Sequence, residues 1–313
     1  MARRLLYLPP IWLGITLLAF ALSRLTPGDP AQTAFVRIHG RQPTAEELAA
    51  IRARLGLDDP PVEQYLDWLG GAVTGDLGTS IATGAPVTRE LLQRFPATLE
   101  ITLAAGAIAI VIAIPVAVVA AVWRNSALDQ LTRGGAILAA SVPSFWLAFV
   151  LIIVFSVKLG LLPAIGRGGL DHLVLPALAL GIGEAAILAR LARSSLLEVL
   201  GEDYILTARA KGLPERAVMV RHALRNSLSA VVTQIGLMLG FLLAYSAIIE
   251  VVFVWPGIGR FVVEAIGARD YPVLQGFVVF AGTVFLLINL VVDLVYLWLD
   301  PRVTLSGPAR TAA

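Results

Sequence analysis

The sequence contains no cysteine, only three histidines, and only 15% charged residues. Without cysteine there is no disulfide framework, no thiolate metal site and no cysteine nucleophile. His39, His172 and His222 are scattered, so no histidine cluster suggests a metal, and none is expected. Catalytic signatures are missing too. There is no H-E-x-x-H, no G-x-S-x-G, no pair of carboxylates in a catalytic frame, and no G-x-x-x-x-G-K-[ST] loop to bind ATP. The chain is read as non-catalytic, with no cofactor. The formal net charge of +2 gives no reason to expect nucleic acid, and no internal repeat stands out.

What the chain has instead is apolar length. Hydrophobic residues make up 58% and the mean hydropathy is +0.82. Soluble domains carry about 25% charged residues, so the shortage of charge here indicates an integral membrane protein. Leu5–Leu22 carries no charge and follows Arg3-Arg4. Its length favours a first membrane helix over a cleaved signal peptide, whose apolar core runs about 7–15 residues, although Ala19-Phe20-Ala21 resembles a cleavage site. Five more runs can each span a bilayer: Ile101–Trp123 with a kink expected at Pro115, Gly134–Val157 with Pro143, Leu173–Leu191, Leu228–Val254 and Gly276–Leu299. Backbone satisfaction in lipid makes them helices. The expected fold is therefore all-α, a polytopic membrane protein with six transmembrane helices and a small extracytoplasmic subdomain between helices 1 and 2. The organisation reads as residues 1–23, first helix; 24–97, subdomain; 98–300, five-helix core; and 301–313, cytoplasmic tail. Within the subdomain, Thr44–Leu55 reads as a helix capped by Thr44. Val62–Val73 reads as another, with Tyr65, Leu66, Leu69 and Val73 on one face.

Charge sets the orientation. With the N-terminus inside, inner segments carry Arg3, Arg4, Arg124, Arg133, Arg190, Arg193, Arg209, Lys211, Arg216, Arg221, Arg225, Arg302 and Arg310. The two short outer loops carry Lys158, Arg167, Arg260 and Arg269. Positive-inside bias thus places both termini in the cytoplasm. Ionisable groups within membrane segments are functional candidates because lipid makes them expensive. Glu184 is the deepest by position and a candidate for the pore. Glu250 and Trp255 lie near the outer end of their helix and are gate candidates, although both also suit an interfacial position. Asn289 and Asp293, four apart, are better placed to bind a neighbouring helix.

One polar stretch interrupts the apolar runs. Glu202–Asn226 reads EDYILTARAKGLPERAVMVRHALRN. Asp203–Lys211 has acid near its start and base near its end, as a helix dipole favours. Gly212 suits a left-handed cap, and Pro214 suits the first position of a second helix. Tyr204, Ile205, Leu206 and Ala208 give the first helix an apolar flank. Two short cytoplasmic helices meeting at a glycine corner would form a knob for a cytosolic partner. A basic loop that only fixes topology or touches membrane lipid is the simpler alternative.

This stretch resembles the cytoplasmic signature loop of binding-protein-dependent ABC importer permeases, E-A-A-x-x-x-G, with its glycine at Gly212 and its glutamate position on Leu206. The peptide and nickel branch reads D-Y-x-R-T-A-R-A-K-G. Asp203, Tyr204, Thr207, Ala208, Arg209, Ala210, Lys211 and Gly212 match it, while Leu206 stands where that branch has arginine. Pro27-Gly28-Asp29-Pro30, Gly75-Asp76-Leu77-Gly78, Pro96-Ala97-Thr98-Leu99-Glu100, Trp255-Pro256-Gly257-Ile258-Gly259-Arg260, Arg269-Asp270-Tyr271-Pro272 and Asp300-Pro301-Arg302 extend the likeness along nearly the whole chain. The resemblance implies the first permease subunit of such an importer, in the inner membrane. Expected partners are a homologous second permease in a heterodimer, two cytosolic ABC ATPases and an extracytoplasmic solute-binding protein. It implies a cargo among peptides, nickel or metal chelates, glutathione and some sugars. ATPase coupling would fall to Asp203, Tyr204, Thr207, Ala208, Arg209, Lys211, Gly212 and Arg216. The alternative from another class is a secondary transporter driven by an ion gradient.

Overall fold

A computed structural model describes residues 2–25, 29–54 and 56–299. Pro27-Gly28, Asp300-Pro301-Arg302, the tail 301–313 and the side chains of Arg3, Arg4 and Asp293 lie outside the described residues. The described residues form helices: α1 (Ala2–Leu25), α2 (Pro30–His39), α3 (Ala45–Arg54), α4 (Pro61–Thr74), α5 (Val87–Val122), α6 (Ala127–Ser141), α7 (Ser144–Leu151), α8 (Leu170–Leu200), α9 (Asp203–Ala210), α10 (Glu215–Ala217), α11 (Arg225–Val252), α12 (Ile258–Ala268) and α13 (Tyr271–Leu299). Wider π-type turns continue α7 through Ile152–Lys158 and join α10 to α11 through Val218–Leu224.

Among the described residues, five helices are long and apolar enough to cross a membrane. A sixth span exists if the pair Ala127–Ser141 and Ser144–Lys158 counts as one, and that pair is bent by 99°. The bend has a local cause. Val142 is extended (φ −81°, ψ 123°) and Pro143 follows it. Proline crowds the preceding residue out of the helical region and supplies no N–H. Pro115 and Pro176 lie inside α5 and α8, which continue through them as helix. α5 also starts earlier than its apolar run suggests, at Val87, and passes through Pro96.

The chain divides into two compact units, Met1–Ala97 with Pro256–Leu286, and Thr98–Trp255 with Leu287–Ala313. In the first, α1 meets α4 through Thr16 and Tyr65, whose hydroxyls lie 3.0 Å apart, and through Phe20 edge-on to Tyr65. The face of α4 that packs is therefore Tyr65, Trp68 and Ala72. Leu66 and Val73, expected on that face, are exposed. Thr44 and Glu47 form a reciprocal cap on α3, N–H to Oε2 at 2.8 Å and N–H to Oγ1 at 3.3 Å. Asp29 caps α2 and also takes Arg52 of α3 at 2.6 Å. Asp270 is fully buried and satisfied by Ser80 Oγ at 2.6 Å, Ala82 N–H at 2.8 Å and Ile81 N–H at 3.1 Å. It anchors the turn that follows Gly75-Asp76-Leu77-Gly78.

The second unit is a bundle of α5, α6, α7, α8 and α11. On α5 every fourth residue from Ile101 to Ala121 (Ala105, Ala109, Ala113 and Ala117 between) is buried. Small residues let helix backbones approach closely in a membrane. The closest approach is at Gly181 of α8, where an added Cβ would stand 2.6 Å from the carbonyl oxygen of Ala105. Only glycine fits there without a backbone shift.

Candidate functional site: a polar corner and two buried carboxylates

The polar stretch folds as a corner at the foot of the bundle. Ile205 and Ala208 of α9 are buried against Leu196, Val218, Met219, Ala223 and Ala121. The sequence-predicted apolar flank therefore splits: Ile205 and Ala208 turn inward, whereas Tyr204 (39% exposed) and Leu206 (57%) face outward. Asp203, Thr207, Arg209, Lys211, Gly212 and Arg216 are exposed as well. Thr207 Oγ1 donates to the carbonyl of Asp203 at 3.0 Å, and the Tyr204 hydroxyl accepts from Asn226 Nδ2 at 2.8 Å. Gly212 has φ 75°, with nothing near its missing Cβ. Backbone conformation alone selects glycine at this position.

Two details differ from the sequence reading. Pro214 is the N-cap residue, with extended backbone (φ −64°, ψ 142°), and Glu215 is the first helical residue. The second arm is also no separate short helix. From Glu215 the chain stays helical through the π turns and α11 to Val252. Its length is about 57 Å at 1.5 Å per residue. Arg209 clamps the corner shut, donating from Nε and Nη2 to both oxygens of Glu215 at 3.1 and 2.6 Å. The guanidinium holds the Glu215 carboxyl below its ordinary pKa.

At the far end of α11 sits Glu250, fully buried. It accepts from Thr98 Oγ1 at 2.6 Å and Ser246 Oγ at 3.1 Å. Trp255 is fully buried too, and its backbone N–H donates to the backbone carbonyl of Glu250 at 2.8 Å. Both were gate candidates from the sequence, with an interfacial position as the simpler alternative. They lie inside instead, because Thr98 on α5 and Ser246 one turn away supply the donors that water would have given. Between them Val254 has φ 53°, rare for a β-branched residue. The Phe253 carbonyl takes the N–H of Gly166 at 2.7 Å, and Arg167 reaches Glu100 at 2.8 Å, so the loop after the bent pair is tied down at this end.

Glu184 is half-buried and borders a cavity of about 180 Å³ shared with Ser144, Leu147, Leu242 and Tyr245. Neither Glu250 nor Trp255 lines that cavity. Sequence reasoning missed Asp129, which is fully buried and takes Arg193 on both oxygens at 2.7 and 2.8 Å. The one available hint was an acid behind Ser126 at a helix start. No group of histidine, aspartate and glutamate among the described residues has metal-site geometry.

Residues 113–305 match the family described as binding-protein-dependent transport system inner membrane component, and residues 1–102 match its N-terminal companion. The chain belongs to this family. The permease is 42% identical over 301 residues to the glutathione transport system permease protein GsiC of Escherichia coli (strain K12), covering 96% of this chain and 97% of that one. It is 41% identical over 329 residues to the dipeptide transport system permease protein DppB of Alkalihalophilus pseudofirmus, covering 96% and 98%. Among solved structures it resembles the inward-facing MetNI methionine ABC transporter. The TM-score is 0.58 at 25% identity, over 67% of this chain and 96% of that one. An amino acid ABC transporter shares the fold at a TM-score of 0.51 and 15% identity. The protein is thus a multi-pass inner-membrane permease subunit of an ABC importer, and ATP hydrolysis lies on separate chains. The family assembles such a subunit with a partner permease, ATPases and a binding protein. Nothing in these comparisons favours an ion-gradient transporter.

Proposed function

We propose that this permease forms half of an import path for small peptides, and that the corner Glu202–Asn226 receives the stroke of a cytosolic ATPase. The observation that carries the reading is the continuous helix from Glu215 to Val252, which joins the exposed corner to the buried Glu250–Trp255 end. Ile205 and Ala208 fix the corner to the bundle, so a push on it is not absorbed locally. Tyr204, Leu206 and Leu213 (40% exposed) leave apolar surface at the tip, as a docking face needs. Leu206 replaces a charged contact with an apolar one within that face.

In this reading both termini are cytoplasmic and residues 24–97 lie outside, where a solute-binding protein docks. Asp203, Tyr204, Thr207, Lys211, Gly212 and Arg216 meet the ATPase, while Ala208 and Arg209 hold the corner's shape. Glu184 faces the path, and Glu250 with Trp255 braces its outer end. The cavity beside Glu184 is smaller than the roughly 300–1,000 Å³ of ordinary ligand sites. A peptide path therefore needs the second permease, taken here as a different chain. Peptide is favoured over nickel because the two relatives above carry glutathione and dipeptide in their names.

The test is Gly212→Pro in the assembled importer reconstituted in vesicles. Proline fixes φ near −65° and cannot adopt 75°. ATP hydrolysis should continue while ATP-driven dipeptide uptake falls at least tenfold, with insertion checked by labelling a tag in residues 24–97 from outside. Uptake at the wild-type rate would refute the coupling role, and labelling only in inverted vesicles would refute the orientation.

A further inference from the structure

We propose that a groove between α5, α6 and α8 holds one anionic glycerophospholipid, phosphate at its arginine end and acyl chain along its apolar length. Two adjoining cavities of about 140 and 250 Å³ make the groove, sharing Val116, Thr132, Ala136 and Ala189. The first is bordered by Arg133, Arg190 and Arg193, and the second, reaching Ile182, is lined by aliphatic residues, glycine and one threonine.

Charge selects the occupant. Arg193 is neutralised by its two bonds to Asp129. Arg133 and Arg190 are exposed and have neither ion pair nor hydrogen bond among the described residues. Arg133 adds to the positive field around Asp129 without bonding to it. Two unpaired guanidinium groups at the mouth of an apolar slot match a phosphate carried on a hydrocarbon tail. Depth agrees. From Ile182 to Arg193 is about 16 Å along α8, which is half of a hydrocarbon core of about 30 Å, or one leaflet. Trp123, 53% exposed at the end of α5, suits the membrane–water boundary. Basic pockets between membrane helices on the cytoplasmic side are a recognised headgroup chemistry. A neutral or zwitterionic lipid would leave the arginines unmatched, and a transmembrane helix of a partner would bring no phosphate to them.

The test is native mass spectrometry of the assembled importer titrated with dioleoyl phosphatidylglycerol, dioleoyl phosphatidylcholine or glycerol 3-phosphate. Phosphatidylglycerol should bind with the highest affinity, and glycerol 3-phosphate, lacking a tail, should not compete. The double variant Arg133→Gln/Arg190→Gln should weaken binding roughly thirty-fold, the strength of one basic side chain at an anionic surface counted twice. Ala136→Phe, which fills the slot and keeps both arginines, should weaken it as well. A photocrosslinking amino acid in place of Ala136 should capture phospholipid. Equal retention of phosphatidylcholine, unchanged binding in both variants, or capture of the second permease subunit in place of lipid would each overturn the proposal.

Discussion

Arg193–Asp129 and Arg209–Glu215 are nearly the same object built twice. Each is an arginine laid two-to-two on a carboxylate, at 2.7 and 2.8 Å in one and 2.6 and 3.1 Å in the other. Their surroundings differ. The Asp129 side chain is 0% exposed and Arg193 17%, against 59% for Glu215 and 40% for Arg209. Coulomb attraction at such distances is set by the local dielectric, and so is the penalty for leaving one charge alone. The first pair therefore holds α6 to α8 as part of the scaffold. The second shapes the corner while leaving its charges open to water and to a partner. A coupling element has to be engaged and released, and in the proposed reading of the corner it would be built from the weaker of the two.

The largest effect should come from breaking the buried pair. Asp129→Ala leaves Arg193 uncompensated and also removes the acceptor of the Asn125 N–H. The expected loss is about 3 kcal/mol, at the low end for buried pairs because Arg193 keeps some water. Thermal or denaturant unfolding in detergent measures it. A loss under about 1 kcal/mol, the range of exposed pairs, would mean that the site is wetter than its burial indicates, and the contrast between the two pairs would fail.

A third acid tests burial through a different kind of donor. Glu250 is as buried as Asp129, and two of its contacts are the hydroxyls of Thr98 and Ser246. Thr98→Val keeps the shape and removes the O–H donor at 2.6 Å. The expected cost is about 1–3 kcal/mol, that of a buried acceptor short of one bond. Thr98→Ser, which keeps the O–H and gives up the methyl group, should cost much less than the valine variant. If valine proves harmless, burial is not what makes these contacts strong.

Much of this was legible in the residues. A polar stretch between apolar runs needs no tertiary knowledge, and Gly212 announces its own left-handed turn. The inward set Ile205 and Ala208 was less legible, because the first-helix flank also contains Tyr204 and Leu206, and only packing against Leu196 and Met219 decides which residues turn in. For Glu250 and Trp255 the sequence left gate and interfacial positions open, because sequence position reports depth along a helix and not which side faces a neighbour. Asp129 and Arg193 are 64 residues apart, and nothing local joins them. Pro143 breaks its helix while Pro115 and Pro176 do not. The same ring constraint acts at all three, and only before Pro143 does the preceding residue, Val142, leave the helical region, which the sequence alone does not announce.

The smallest expected effect belongs to the corner pair, and its size is the point. A double-mutant cycle with Arg209→Gln and Glu215→Gln should give a coupling under about 1 kcal/mol, reduced further in roughly 1 M salt. Its pH dependence has a fixed sign. Arg209 lowers the folded pKa of Glu215, so the contribution is fully present above the ordinary carboxylate value and is lost as pH falls through the lowered one. The same cycle run with ATPase bound should give a larger coupling, because docking removes water from both side chains. Equal values free and bound would mean that the ATPase does not cover this pair, and the proposed docking on this side of the corner would fail.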